Sequence, residues 1–241
     1  MKVLVISDVH ANLPALQAVL ADAGSFDAVW CLGDLTGYGP EPNECISLMQ
    51  TLPNLTCLTG NHDTAVLNQI DVNDFNDDAR YTVLWTTDTL SRENYAHLSS
   101  YPASQITSDY TLVHASPRHP IWEYILDAYT ARINFKYFET DICLVGHTHL
   151  PGIFRQKGNH HIGFEIPQTD HVVQMKGRSI VNPGSVGQPR DYNPQASYAI
   201  LDPDNRVLVF RRVAYDIHAV QSRMIEAGLP ERHIYRLSAG Y

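Results

Sequence analysis

The sequence predicts an α/β (α+β) fold, a four-layer αββα sandwich of two mixed β-sheets flanked by helices. Three observations predict it. The first third alternates short apolar runs with amphipathic helical patterns in a β-α-β-α-β order, which demands parallel strands and crossover helices. From Tyr110 onward the pattern turns strand-rich, as a second sheet requires. The chain has 241 residues, 44% of them hydrophobic, which suffices for a packed core.

Lys2–Ile6 reads as a first buried strand. Asn12 is a helix cap and Pro14 suits a first turn. Leu13, Leu16, Val19, Leu20 and Ala23 then share one helical face, which Gly24 ends. Ala28–Leu32 is a second strand, Glu41–Gln50 a second amphipathic helix and Leu55–Leu58 a third strand. Residues 64 to about 100 change character: Asp71, Asp74, Asp77 and Asp78 precede a helical run holding Tyr81, Leu84, Trp85 and Leu90. This stretch reads as a helical excursion beside the sheet, with its carboxylates in a solvated loop and helix N-terminus. Further strands are expected at Tyr110–His114, Ile142–Gly146, Gly152–Arg155, His161–Glu165, Val172–Met175, Ser179–Asn182, Ser197–Leu201 and Val207–Val213. A last helix is expected over Asp216–Ala227, stopped by Gly228 and Pro230. The expected organisation is one domain over residues 1–241, without repeats or an evident linker.

Bulk properties narrow the function. The formal net charge of −9 disfavours a nucleic-acid partner, which demands Lys and Arg to displace counterions. No apolar run approaches the ~18 residues of a membrane span. The apolar N-terminal stretch stops at Ser7-Asp8, short of the ~7–15 residues of a signal-peptide core. Cys31, Cys45, Cys57 and Cys143 form no C-x-x-C pair and read as buried free thiols. A reducing, cytoplasmic setting is the expectation.

The chemistry lies where apolar strands run out. Asp8-Val9-His10 follows Val3–Ile6, and Gly33-Asp34 follows Val29–Leu32. Gly60-Asn61-His62-Asp63 follows Leu55–Leu58, His114 follows Tyr110–Val113, and Gly146-His147-Thr148-His149 follows Ile142–Val145. Ligands of open α/β sheets bind beyond the carboxyl ends of the strands, so these clusters should meet on one rim. Aspartate, amide and imidazole with no Lys, Arg or Cys make a mixed O/N shell for divalent metals. Without a cation, such a cluster would be costly to bury. The x spacer in Asp8-x-His10 and His147-x-His149 would aim both side chains to one side of an extended segment.

This ordered set resembles the calcineurin-like metallophosphoesterase superfamily. Asn182-Pro183-Gly184-Ser185 and the strand after it resemble the C-terminal part of its small bacterial and archaeal phosphodiesterase branch. The resemblance implies two divalent ions per chain, Mn²⁺ first, with Fe, Zn, Ni or Co as alternatives. It implies that Asp8, His10 and His149 hold one ion and that Asn61, His114 and His147 hold the other. Asp34 would bridge the two, and His62 would donate a proton to the leaving group. The implied activity is hydrolysis of a small, nucleotide-like phosphate ester, as a phosphodiesterase or phosphomonoesterase. Alternatives are a dinucleoside polyphosphate hydrolase, a protein phosphatase, or a metal-poor binding scaffold of the same fold.

One motif departs from the pattern. The superfamily's protein Ser/Thr phosphatases read G-D-x-x-D-R-G, whereas this chain reads Gly33-Asp34-Leu35-Thr36-Gly37-Tyr38-Gly39. The carboxylate partner of His62 and the phosphate-gripping Arg are both replaced. Asp63 does not substitute for that partner, because consecutive residues rarely face one another. Asn61, Arg118 and Arg190 are the expected substrate contacts, since Arg suits bidentate binding of phosphate. Trp122 and Tyr38 are candidates for stacking on a base or ring. Asn182-Pro183-Gly184-Ser185 reads as a turn bracing the rim. His97, His119, His160, His161, His171, His218 and His233 read as ordinary surface or core histidines.

Overall fold

A computed structural model describes the whole chain except residues 108, 159 and 160. Two six-stranded mixed sheets stack face to face. The first contains β1 (Val3–Ile6), β2 (Ala28–Cys31), β3 (Leu55–Cys57), β9 (Val172–Gln174), β11 (Ala196–Asp202) and β12 (Val207–Val213), in the order β3-β2-β1-β11-β12-β9. The second contains β4 (Ser104–Thr107), β5 (Tyr110–Val113), β6 (Ile142–Leu144), β7 (Gly152–Lys157), β8 (His161–Glu165) and β10 (Ser179–Asn182), in the order β4-β5-β6-β10-β7-β8.

Strand periodicity sorts the core into layers. Val3 and Val5 of β1 face the second sheet, in one apolar cluster with Trp30, Leu112, Leu144 and Val181. Leu4 and Ile6 point the other way, onto the helices. There they meet Leu16 and Val19 of α1 (Leu13–Ala23) and Ile46 and Met49 of α2 (Pro42–Gln50). The outer face of the second sheet packs Val113, Cys143 and Ile180 against Ala131 of α6 (Ala128–Asn134) and Phe135 just beyond it. Alternate residues thus serve alternate layers, and the four-layer arrangement follows.

β1, β2 and β3 run parallel, as do β5, β6 and β10. Their carboxyl ends place the polar clusters on a common edge. The expected helical excursion begins within α3 (Asn61–Val66), three residues later than the helix itself, and contains a 3₁₀ turn (Val72–Asp74), α4 (Asp77–Thr89) and α5 (Arg92–Ser99). Asn76 caps α4, its side chain accepting the Ala79 N–H at 3.1 Å. The periodic pattern misses β4, because its residues are mostly exposed and polar. Sequence reasoning also misses α6, a short helix with few buried positions, and α8 (Glu231–Ala239). His160, read as ordinary, lies outside the described residues.

α7 (Ile217–Glu226) and α8 close one end of the molecule. His233 of α8 is buried and packs on Tyr38 with ring centroids 4.3 Å apart, while neither ring nitrogen finds a partner among the described residues. Burial, reinforced by Arg236, lowers its pKa from 6.5 to about 3. His233 is therefore neutral in the fold but charged in the unfolded chain below pH 6.5. Its contribution is full above 6.5 and is lost as pH falls from there toward 3, by at most about 1.4 kcal/mol per pH unit. His233→Phe keeps the packing and removes two unpaired buried nitrogens. It should match or exceed wild-type stability at neutral pH and lose less below 6.5. Thermal denaturation on either side of that pH tests this, and an unchanged pH dependence would contradict it.

Candidate metal centre

Asp8, His10, Asp34, Asn61, His114, His147 and His149 are all buried and meet at the rim. His10 Nε2 lies 3.1 Å from His149 Nε2, and His149 Nε2 lies 3.4 Å from a carboxylate oxygen of Asp8. His114 Nε2 lies 3.2 Å from both Asn61 Oδ1 and His147 Nδ1. Asp34 sits between the two groups, its Oδ2 3.6 Å from His10 Nε2 and 3.4 Å from His114 Nε2. Asp8, His10 and His149 form one set of donor atoms that could hold an ion, and Asp34, His114 and His147 form another.

The outer ring nitrogens show why a cation fits. His10 Nδ1 lies 2.9 Å from the Thr36 carbonyl and His114 Nδ1 2.9 Å from that of Leu32. His149 Nδ1 lies 2.6 Å from the Gln188 carbonyl and His147 Nε2 3.3 Å from that of Trp122. A carbonyl can only accept, so each outer nitrogen carries the proton. The inner nitrogens of His10 and His149 then turn bare lone pairs toward each other, an arrangement that a cation between them stabilises.

Without ions the electrostatics are strained. Burial lowers His10, His62 and His147 to about 3 and His149 well below its ordinary value. Burial also raises Asp8 to about 7. Asp34 departs from this trend: burial opposes its ionisation, but His114 and His62 outweigh that and hold it well below the usual carboxylate range. His114 is raised to about 9, because the Asp34 charge overcomes its burial.

The loops reach this geometry by a different route from the extended segment expected for the x spacers. Asp8, His10, Asp34, His147 and His149 all have positive φ, between 48° and 64°. Each such residue costs about 1–2 kcal/mol, which hydrogen bonds between the loops offset. Asp8 N–H donates to Gly33 and His10 N–H to Asp34, both at 3.0 Å. Asp63 faces away from His62 and clamps the second loop, accepting from the N–H groups of Leu35 and Thr36 and from the Thr36 hydroxyl. The Asn182–Ser185 turn braces both sides. Asn182 Nδ2 donates to the Gly146 carbonyl at 2.7 Å, and Ser185 Oγ to that of Asp8 at 2.8 Å. Gly60 approaches so closely that a Cβ there would lie 2.0 Å from Asp34 Oδ1.

His62 donates its backbone N–H to Asp34 Oδ1 at 3.0 Å. Its ring packs between Tyr38 and Phe75, with centroids 4.4 and 5.0 Å away. Nδ1 is buried without a partner among the described residues. Gly37 permits this seat: its φ is +84°, and a Cβ there would lie 2.3 Å from His62 Nδ1. Gly37→Ala should cost about 1–2 kcal/mol in backbone strain and also displace His62. Restoring the superfamily carboxylate with Gly37→Asp should therefore lower turnover. Raised turnover in Gly37→Asp, read with any phosphate ester the wild type hydrolyses, would contradict this.

A cavity of about 290 Å³ opens beside the cluster, lined by Asp34, Asn61, His62, His147, His149 and Arg190 on its polar side. Arg190 Nη2 lies 3.4 Å from the Tyr38 hydroxyl and 3.2 Å from Gln188 Oε1. Arg118 corrects the expectation of a phosphate contact. It lies outside the described lining, and its guanidinium pairs with Glu123. Sequence reasoning missed Phe75 and Tyr124, which also line the cavity. Neither carries a motif, and Phe75 sits in the segment read only as a solvated loop.

The comparisons agree with this architecture. A family model described as the calcineurin-like phosphoesterase superfamily domain matches residues 1–206. The chain is 37% identical over 236 residues to the uncharacterised protein MJ0912 of Methanocaldococcus jannaschii, covering 95% of this chain and 94% of that one. The crystal structure of a metallophosphoesterase from Sphaerobacter thermophilus superposes with a TM-score of 0.92 at 48% identity, over 100% of this chain and 99% of that one. The hypothetical protein PH1004 of Pyrococcus horikoshii shares the fold, with a TM-score of 0.80 at 22% identity, over 100% and 98% of the two chains. This chain belongs to the calcineurin-like phosphoesterase superfamily.

Proposed function

We propose that the protein is a metal-dependent phosphoesterase, hydrolysing a mono- or diester of phosphoric acid carried by a small molecule. The observation that carries this reading is the bare inner nitrogens of His10 and His149, 3.1 Å apart beside buried Asp8. Asp8, His10 and His149 would hold one divalent ion, and Asn61, His114 and His147 the other, with Asp34 shared between them. When bound, such a pair supplies Lewis acidity to the phosphate and lowers the pKa of attacking water.

The chain's own groups do the rest. Arg190 faces the cavity and would grip phosphate oxygens with its fork of donors. Asn61, beside His114, would offer its amide N–H₂ to the same group. His62 lines the cavity next to them and would deliver a proton to the departing oxygen. Burial leaves His62 neutral, but a phosphate dianion alongside would favour its charged form. The aromatic packing around His62 does the orienting that a carboxylate would otherwise do.

The metal-poor scaffold reading gains nothing from the geometry, since a scaffold has no use for His10, His147 and His149 buried with their inner nitrogens bare. Mn²⁺ is the expected ion. The test is hydrolysis of bis-p-nitrophenyl phosphate and p-nitrophenyl phosphate by purified protein, with and without Mn²⁺. Stimulation on either supports the reading, and the ratio sets diester against monoester preference. Inertness towards both, and towards a panel of phosphorylated metabolites, would sink it.

A further inference from the structure

We propose that the cavity carries a subsite for a planar aromatic or heteroaromatic group of the substrate, walled by Phe75, Trp122 and Tyr124 and positioned by a clasp of Glu123 with Arg118. This rests on the phosphoesterase reading only for what lies at the phosphate end.

The wall comes from two separate segments. Phe75 follows the 3₁₀ turn, while Trp122 and Tyr124 come from the loop after β5. The rings of Phe75 and Trp122 lie 4.9 Å apart at 60°, a continuous aromatic surface. Tyr124 stacks on His147 at 4.0 Å and 22°, so it both covers a candidate metal ligand and borders the cavity. Trp122 remains 36% exposed and Tyr124 45% exposed. Such faces, left open beside a polar cluster, are the surface that a flat ring covers in offset stacking.

The loop is built to present them. Glu123 lies between the two aromatics in sequence and turns inward. Its carboxylate accepts from Ser116 Oγ and Asn134 Nδ2, both at 2.7 Å, and pairs with the Arg118 guanidinium. Burial works against its ionisation, yet these donors outweigh it and lower its pKa to about 2. With Glu123 held inward, its neighbours on either side reach the cavity. The Trp122 carbonyl lies 3.3 Å from His147 Nε2, which ties the same loop to the cluster. Arg118 is thus a positioning residue rather than a phosphate contact.

Size and charge narrow the occupant. About 290 Å³ admits one ring system with a phosphate, near the lower bound for small-molecule pockets. Arg190 is the one cationic side chain among the described residues lining it, and Asp74 stands in the same lining. The dinucleoside polyphosphate alternative fits this cavity poorly.

Adenosine 5′-monophosphate and ribose 5-phosphate differ only in the base, so they isolate the subsite. Titration calorimetry on metal-free protein should show the former binding at least about tenfold more tightly, since stacking on one aromatic contributes on that order. The ratio should fall towards one in Trp122→Ala and be largely restored in Trp122→Phe. Glu123→Gln, which keeps the aromatics but weakens the clasp, should lower it as well. Equal affinities in the wild type overturn the proposal, as does failure of adenosine 5′-monophosphate to bind at millimolar concentration or a preference that survives Trp122→Ala. A wild-type ratio in Glu123→Gln overturns the part assigned to the clasp. A protein that prefers the nucleotide but hydrolyses no ester would contradict the phosphoesterase reading and leave the subsite standing. One that hydrolyses esters with Mn²⁺ yet binds both compounds equally would contradict the subsite alone.

Discussion

Asp34→Asn should abolish metal-stimulated hydrolysis while leaving the fold intact. The carboxylate is buried, within 3.6 Å of His10 Nε2 and 3.4 Å of His114 Nε2, and stands between the two candidate ion sites. Asparagine keeps the shape and one oxygen acceptor, so the His62 N–H retains a partner there. It removes the negative charge that would balance two dications. Loss of a residue that only orients a metal ligand costs 10–100-fold in metal affinity or activity. Loss of a shared ligand should cost more than about 100-fold by the same comparison. Metal content would fall in parallel. Folding should survive, because asparagine fills the same volume and His114, whose raised pKa depends on the Asp34 charge, can shed its proton once that charge is gone. Steady-state rates at saturating Mn²⁺, with circular dichroism as the fold control, provide the readout. Undiminished turnover would remove Asp34 from the bridging position.

His62→Gln should slow hydrolysis by about 10²–10⁴-fold for alkyl leaving groups, the usual worth of a positioned acid. A nitrophenolate departs without needing a proton, so its ester should be slowed far less. Glutamine preserves the backbone N–H to Asp34, which separates proton donation from loop support. The ring that is lost also packs against Tyr38, Phe75 and His10, so some loosening of the second loop is expected. That loosening would slow every substrate alike. The expected signature is therefore a rate ratio between poor and good leaving groups that rises in the variant. Equal slowing of both would assign His62 a packing role only.

Much of the site was legible because its residues obey a simple rule: each follows an apolar run that forms a strand. Asp8, Asp34 and His114 are found this way, and parallel pairing of the strands brings their ends to one edge. Asp8 and His10 do converge on one site, but not along an extended segment. Those residues sit in left-handed conformations, which loop-to-loop hydrogen bonds support and no local pattern announces. Arg118 shows the complementary failure. An arginine four residues after a candidate ligand looks like a phosphate grip, yet its fate is set by Glu123 and Asn134, which only tertiary structure brings near. Gly37 looked like the loss of a partner for His62. In the fold it is a space that the imidazole occupies. The helix α6 escaped notice because a seven-residue helix that buries only Ala131 and Asn134 leaves little periodicity to read.

The central claim is that Asp8, His10, Asp34, Asn61, His114, His147 and His149 together hold two divalent ions. Its most direct test is a crystal structure of the Mn²⁺-loaded protein with anomalous scattering recorded at the manganese edge. The account predicts two anomalous peaks roughly 3.5–4 Å apart, one beside Asp8, His10 and His149, the other beside Asn61, His114 and His147, with Asp34 touching both. A map without a peak at either place, from protein saturated with Mn²⁺, would contradict it.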